Sequence, residues 1–399
     1  MKPRLNKTVA AVASSALLLM AVPVIGAVST SGAASKPTYI IGYQGPLTGA
    51  NQQLGLNMVY AVQLAINNAN ATKKLPFTIK MQKYDDQGSP TLAPSQAQAA
   101  VNNKKLVAIV GPAFSGATEA SEPYYSRAHI ATVSPSATAA ALAKGTHNNF
   151  MRVVAGDDVQ GAADAKFLVK TKSVKKLIVV NDGSFYGAGL ASVVAKQAKT
   201  LGAAVTTYTY PESGSCGGTA SVSEYTAAAT QIVADHAAGI FYGGYYCDLG
   251  LLLGALSSAG YTGVIMSDDG SWSSALIAGT TPASAANNVY VSEAGGGNSN
   301  LTGKLAVQYK KLAHFTANGA TYAAQSYDAT NMIIKAMTMI KRSPKLPLLR
   351  SAIVNQLHKF AFKGVTGVIK FQGNGDLTRS SYVDFGQVQN GTIVSVGHS

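Results

Sequence analysis

At 399 residues the chain is too long for one small module and fits two or three domains at about 150 residues each. Apolar residues make up 47% and charged residues 13%, which excludes a chain held disordered by low hydrophobicity and supplies side chains enough for two cores. Lys and Arg number 32 against 18 Asp and Glu, a formal +14, yet no run of five basic residues and no basic stretch interleaved with aromatics occurs, so a nucleic-acid groove is excluded.

The first element is a leader. Met1 to Lys7 is basic, Val9 to Val28 is almost wholly apolar, and small residues from Gly26 to Ser35 offer cleavage points. The expectation is a secretory signal over residues 1–35, with an uncleaved anchor helix as the alternative. No cysteine precedes Cys216, which rules out a lipidated N-terminal cysteine in that leader. The rest of the chain is then expected outside the cytoplasmic membrane, where its two cysteines can oxidise. Cys216 and Cys247 are both expected in strand-to-helix loops, and a bridge closing about 31 residues would stabilise by roughly 3.5 kcal/mol on the chain-entropy model. Two unpaired thiols are the alternative. No His pair or third Cys stands near either, so no metal or other cofactor is expected.

Short apolar runs then alternate with helical patterns. Strands are predicted at 39–43, 77–81, 106–110 and 130–133, with helices over 56–70, 95–102 and 117–127. The rhythm restarts with strands at 177–180, 204–208, 239–242 and 264–266, each leading into a helix. Phe150 to Val154 and Asn288 to Glu293 read as extended connections. Helices over 301–315, 322–340 and 348–360 have no strand between them and are expected to return to the first series. Strands at 368–371, 382–387 and 393–396 close the chain around Gln372–Asp376, which reads as a hairpin turn. The fold class is α/β, two doubly wound parallel-sheet lobes joined by three hinge crossovers. Lobe 1 is drawn as 36–152 plus 291–365 and lobe 2 as 153–290 plus 366–399.

In such sheets a ligand binds beyond the carboxyl ends of the strands, where helix N-termini favour anions. Ser115, in the loop after 106–110, is a candidate for holding a carboxylate, with helix capping by Ser115 or Thr118 as the bland reading. Ser136, Ala137 and Thr138 follow the next strand in the same way. Tyr186 and Tyr245 lie just past strands of the second series and could close over an apolar side chain, although ordinary packing would also place them there. Asp269 could pair with an ammonium, or simply form a turn with Gly270. Trp272 stands beside it.

In order along the chain, Gly45-Pro46-Leu47-Thr48-Gly49, Tyr84-Asp85-Asp86, Val110-Gly111-Pro112, Ser134–Thr138, Tyr186-Gly187, Tyr242-Gly243-Gly244-Tyr245 and Gly373-Asn374-Gly375-Asp376 resemble the type I periplasmic binding proteins. The resemblance is to the branched-chain amino-acid (Leu/Ile/Val) binders of ABC importers, over nearly the full length after residue 35. It implies that the Ser115 and Ser136–Thr138 loops hold a ligand's carboxylate and ammonium from lobe 1. Tyr186 and Tyr245 then enclose it from lobe 2, and Asp269 pairs with the ammonium where a glutamate is usual. Leu54 stands where an aromatic ring is often found, and the early disulfide of the group is missing after Tyr84-Asp85-Asp86.

The expected function is an extracytoplasmic, monomeric receptor that closes on a small aliphatic amino acid or analogue and delivers it to a membrane permease. A binding or sensor protein for amides, urea or small aromatic solutes is the alternative. Enzyme readings lack their motifs: no strand runs into Gly-x-Gly-x-x-Gly, and neither a phosphate loop nor a Gly-x-Ser-x-Gly elbow occurs.

Overall fold

A computed structural model describes residues 36–399 except 146–147, 212–218, 296–300, 316–318, 341–347 and 379–381. The leader and Cys216 lie outside the described residues.

The first sheet has the order β2-β1-β3-β4-β5 and is parallel throughout, built from β1 (Thr38–Gly45), β2 (Thr78–Asp85), β3 (Leu106–Val110), β4 (Ala131–Ser134) and β5 (Phe150–Arg152). Leu106–Val110 is apolar at every position because helices cover both faces of this central strand, so no alternation of polar residues survives. Three helices follow the strands: α1 (Gln52–Ala71), α2 (Ala93–Asn102) and α3 (Ser115–Arg127). In α1, Leu54, Met58, Val62 and Ile66 recur every fourth residue and are all buried, the stripe of a helix laid on a core.

The second series comprises α4 (Asp157–Lys166), β6 (Lys176–Asn181), α5 (Phe185–Thr200), β7 (Ala204–Thr209), α6 (Thr219–Ala234), β8 (Gly239–Gly243), α7 (Tyr246–Ser258), β9 (Val264–Ser267), α8 (Ser274–Gly279) and β10 (Tyr290–Glu293). The chain returns through α9 (Gly303–Ala313), α10 (Ala323–Met339) and α11 (Leu348–Leu357) and ends in β11 (Phe362–Gly364), β12 (Gly367–Ile369), β13 (Asp384–Gln389) and β14 (Thr392–His398). As expected, the returning helices cover the first sheet: α9 and α10 pack on α1, and α10 and α11 on β3 and β4.

Four details differ from the sequence reading. Phe150–Arg152 and Tyr290–Glu293 are more than connections: each is a sheet member at a crossover, and the whole of β10 pairs in the second sheet, whose order is β14-β13-β10-β9-β8-β6-β7. The lobe boundary drawn at 291 therefore cuts through a strand. Gln372–Asp376 turns tightly and is flanked by the bridge Phe371–Leu377 and a Thr378 N–H to Lys370 carbonyl bond, but among the described residues no named strand follows it to pair with β12, which pairs back onto β11. The tail hairpin turns instead at Asn390-Gly391, both at positive φ, a two-residue loop whose backbone matches the strand twist. Lastly, Cys247 sits inside the first turn of α7, and is buried there, rather than in the loop before it.

Candidate functional site

The carboxyl ends of β3 and β4 face those of β6, β8 and β9 across a cleft. Between them lies a tight pocket of about 10 Å³, lined from the first side by Leu54, Met58, Ala113, Phe114, Ser115 and Ser136, and from the second by Tyr186, Tyr245, Asp269 and Gly270, with Tyr322 from the start of α10. No lining residue is cationic.

Two loops make the first wall, and they are laced together. Gly111 opens the β3 loop at φ +111, where a Cβ would stand 2.4 Å from the Gln44 carbonyl oxygen, so only glycine lets the chain pass. Ser134 Oγ donates to the Pro112 carbonyl at 2.7 Å and accepts from the Ala137 N–H at 3.0 Å. Ser136 Oγ donates to the Ala113 carbonyl at 2.7 Å. The N-cap of α3 is Phe114, with no side-chain cap, so Ser115 lies inside the helix and is not a capping residue. Its Oγ accepts the Ala139 N–H at 3.2 Å, which leaves the hydroxyl proton available to the pocket. Thr118 donates inward to the Pro112 and Phe114 carbonyls.

Thr138 and Ala137 are fully buried and lie outside the lining, and the Thr138 hydroxyl lies beside the buried Asp157 carboxyl.

The second wall is aromatic and acidic. Ser184 caps α5 by accepting the Gly187 N–H at 2.9 Å and so fixes Tyr186 in its first turn. Asp269 is 3% exposed, and each oxygen accepts one phenol: Oδ1 from Tyr186 at 2.6 Å and Oδ2 from Tyr322 at 2.6 Å. Burial pushes the Asp269 carboxyl above its ordinary range while the two phenols pull it back, and burial with the adjacent Asp269 charge drives Asp268 up. The same burial and carboxylates hold both phenols protonated, hence as donors. Behind Asp269, one face of α4 carries the buried Asp157 and Asp164, beside the Thr138 and Ser292 hydroxyls; burial raises both, Asp157 to about 7.

The lobes already touch. Phe114 stacks on Tyr245 with centroids 4.2 Å apart, Tyr245 lies 5.4 Å from Tyr186, and Tyr246 donates to the Ala50 carbonyl at 2.9 Å. The two sides of the cleft are therefore in contact, and the stacked pair lines the pocket.

Of the residues singled out from the sequence, Ser115, Ser136, Tyr186, Tyr245 and Asp269 meet at the pocket. Trp272 does not line it: a short 3-10 turn over Asp269–Ser271 swings the ring away, so that it packs over Gly386 of β13, and its carbonyl accepts the Thr321 hydroxyl. Sequence reasoning missed Phe114, Met58 and Tyr322. Tyr322 holds φ +65, a left-handed backbone that costs a tyrosine on the order of 1 kcal/mol and that is found preferentially at functional sites.

Residues 38–392 match the periplasmic binding protein family. An amino acid binding protein of Pseudomonas aeruginosa is 29% identical over 255 residues, 64% of this chain and 66% of that one. A leucine-, isoleucine-, valine-, threonine- and alanine-binding protein of the same organism is 28% identical over 65% of this chain and 68% of its own length. The chain thus spans about two thirds of the length of these curated relatives. Among solved structures, a leucine binding protein from Thermotoga maritima superposes with a TM-score of 0.77 at 23% identity, over 90% of this chain and 98% of that one. A solute binding protein from R. palustris in complex with benzoate gives 0.75 at 16% identity, over 90% and 96%.

Proposed function

From the premise that the chain belongs to the periplasmic binding protein family, we propose that it is the extracytoplasmic receptor of an ABC importer, closing its lobes on a small aliphatic amino acid for delivery to a membrane permease. One observation carries this reading: a pocket between the lobes sets neutral donors on one wall against a buried carboxylate on the other. The Ser115 hydroxyl suits a ligand carboxylate. Asp269 suits the ammonium, and Leu54, Met58, Phe114 and Tyr245 an apolar side chain. The mechanism is binding without bond chemistry, in which contacts split between two lobes favour the closed state by the difference in affinity. Its two cysteines, oxidised as a Cys216–Cys247 bridge, fit the same compartment.

A second reading, recognition of amides, urea or small aromatic acids, is favoured by the same carboxylate, because Tyr186 and Tyr322 already satisfy both Asp269 oxygens without an ammonium. Thermal shift of the chain from Lys36 onward against alanine, valine, leucine, acetamide, urea and benzoate separates the two, since a ligand of the native state raises the midpoint. Stabilisation by the amino acids alone supports the receptor as proposed; a response confined to the uncharged or aromatic solutes replaces it with the second reading.

A further inference from the structure

Arg152 takes no part in the pocket, yet its environment is built with unusual completeness. It ends β5, at the first crossover, and is 1% exposed. Its Nε donates to Asp376 Oδ1 at 2.6 Å, and its Nη1 donates to the carbonyls of Thr138 at 2.7 Å and Ala139 at 3.0 Å, with Ala137 at 3.4 Å. Its backbone N–H donates to the Gly375 carbonyl at 3.0 Å. Asp376 belongs to the turn in the third crossover, between β12 and β13, and that turn is seated as closely as backbone allows: Gly375 has φ +87, and a Cβ there would stand 2.1 Å from the Phe150 carbonyl oxygen. Asn374 Nδ2 holds the other Asp376 oxygen at 3.0 Å.

We propose that Arg152, held by Asp376, is a positioning residue for ligand binding: from the hinge it sets the peptide planes of the 137–139 loop. Three successive carbonyls turned toward one guanidinium direct their flanking N–H groups the other way, and the Ala139 N–H does reach Ser115 Oγ in the cleft wall. A planar fork with donors on two edges can hold a carboxylate and two carbonyls together, whereas a lysine ammonium offers a single point. Because the carboxylate comes from one crossover and the arginine from another, relative movement of these hinge strands displaces the loop. The ligand-affinity arm below rests on the function proposed above; the exchange arm does not.

Asp376→Asn, Asp376→Glu and Arg152→Lys are compared with the unaltered protein by amide hydrogen exchange without ligand and by calorimetry with valine. Asp376 is partly exposed, so its variants are expected to fold. In Asp376→Asn and Arg152→Lys the Ala139 amide exchanges at least tenfold faster while the Ala137 amide, held by Ser134, is unchanged; valine affinity falls roughly five- to tenfold, and Asp376→Glu restores most of both. Equal exchange at Ala139 in all four proteins overturns the proposal, as does a lowered thermal midpoint with both readouts unmoved. Faster Ala139 exchange in a protein that binds no valine even unaltered supports the positioning role and removes the function proposed for the pocket.

Discussion

The two walls of the cleft are made of different chemistry. The first is neutral: hydroxyls and backbone groups, most of them already bonded to a neighbouring loop of the same lobe, so the wall exists before any ligand arrives. The second concentrates carboxyls, and its central one, Asp269, accepts from Tyr322 at the root of α10, a helix packed on the first lobe. A preformed wall contributes by costing no reorganisation on binding. The acidic wall contributes by placing charge where water is excluded, and there removing one partner of a pair is expensive.

This contrast can be broken experimentally. Asp269→Asn is expected to weaken alanine or valine binding by about 3 kcal/mol, more than a hundredfold by calorimetry, because it strips the one carboxylate of the pocket. A loss below threefold would mean that the acidic wall recognises something other than an ammonium. Phe114→Ala enlarges the pocket; its preference for leucine over alanine should rise roughly tenfold, as each newly accommodated methylene contributes about 0.8 kcal/mol. Competition calorimetry with the two amino acids measures it.

Buried carboxyls in both lobes fix the sign of a pH dependence, Glu122 being raised to about 7 and Asp86 to about 6 in the first. Burial raises Asp157 to about 7 and Asp182 to about 6, so between pH 4 and 7 the folded protein binds more protons than the unfolded chain. Stability must then fall as pH rises through that window, the reverse of a surface carboxylate held low by a cation. The ligand-free protein is expected to melt a few degrees lower at pH 7.5 than at pH 5, and Asp157→Asn to flatten the slope. A midpoint that climbs over the same range contradicts the assignment. The smallest effect is expected at Trp272→Phe, which should change ligand affinity less than about twofold, since the ring lies off the pocket.

Much of this architecture is legible in the sequence because doubly covered strands must be continuously apolar, and the carboxyl-end rule then points to Ser115, Ser136, Tyr186, Tyr245 and Asp269. What escapes is set by short-range geometry. Trp272 stands three residues from Asp269, and a single 3-10 turn puts it on another surface. Tyr322 lies 53 residues beyond Asp269 and reads as the start of a helix; nothing in its neighbours signals a left-handed backbone. Phe114 lies in a loop of small residues, and only the approach of Tyr245 from the other lobe gives it a role. The tail hairpin was misplaced because a glycine-rich turn at 373–376 is the louder signal, while its carbonyls and carboxylate are engaged by β5 and Arg152.

The position of Trp272 has a practical side. It is the sole indole in the chain. It follows directly on the loop that carries Asp269, its carbonyl is bonded by the residue preceding Tyr322, and its ring rests on β13 beyond the third crossover. One intrinsic fluorophore thus stands between elements of both lobes and outside the pocket, so its emission is expected to change, without a label and without touching the ligand, whenever ligand binding shifts the lobes.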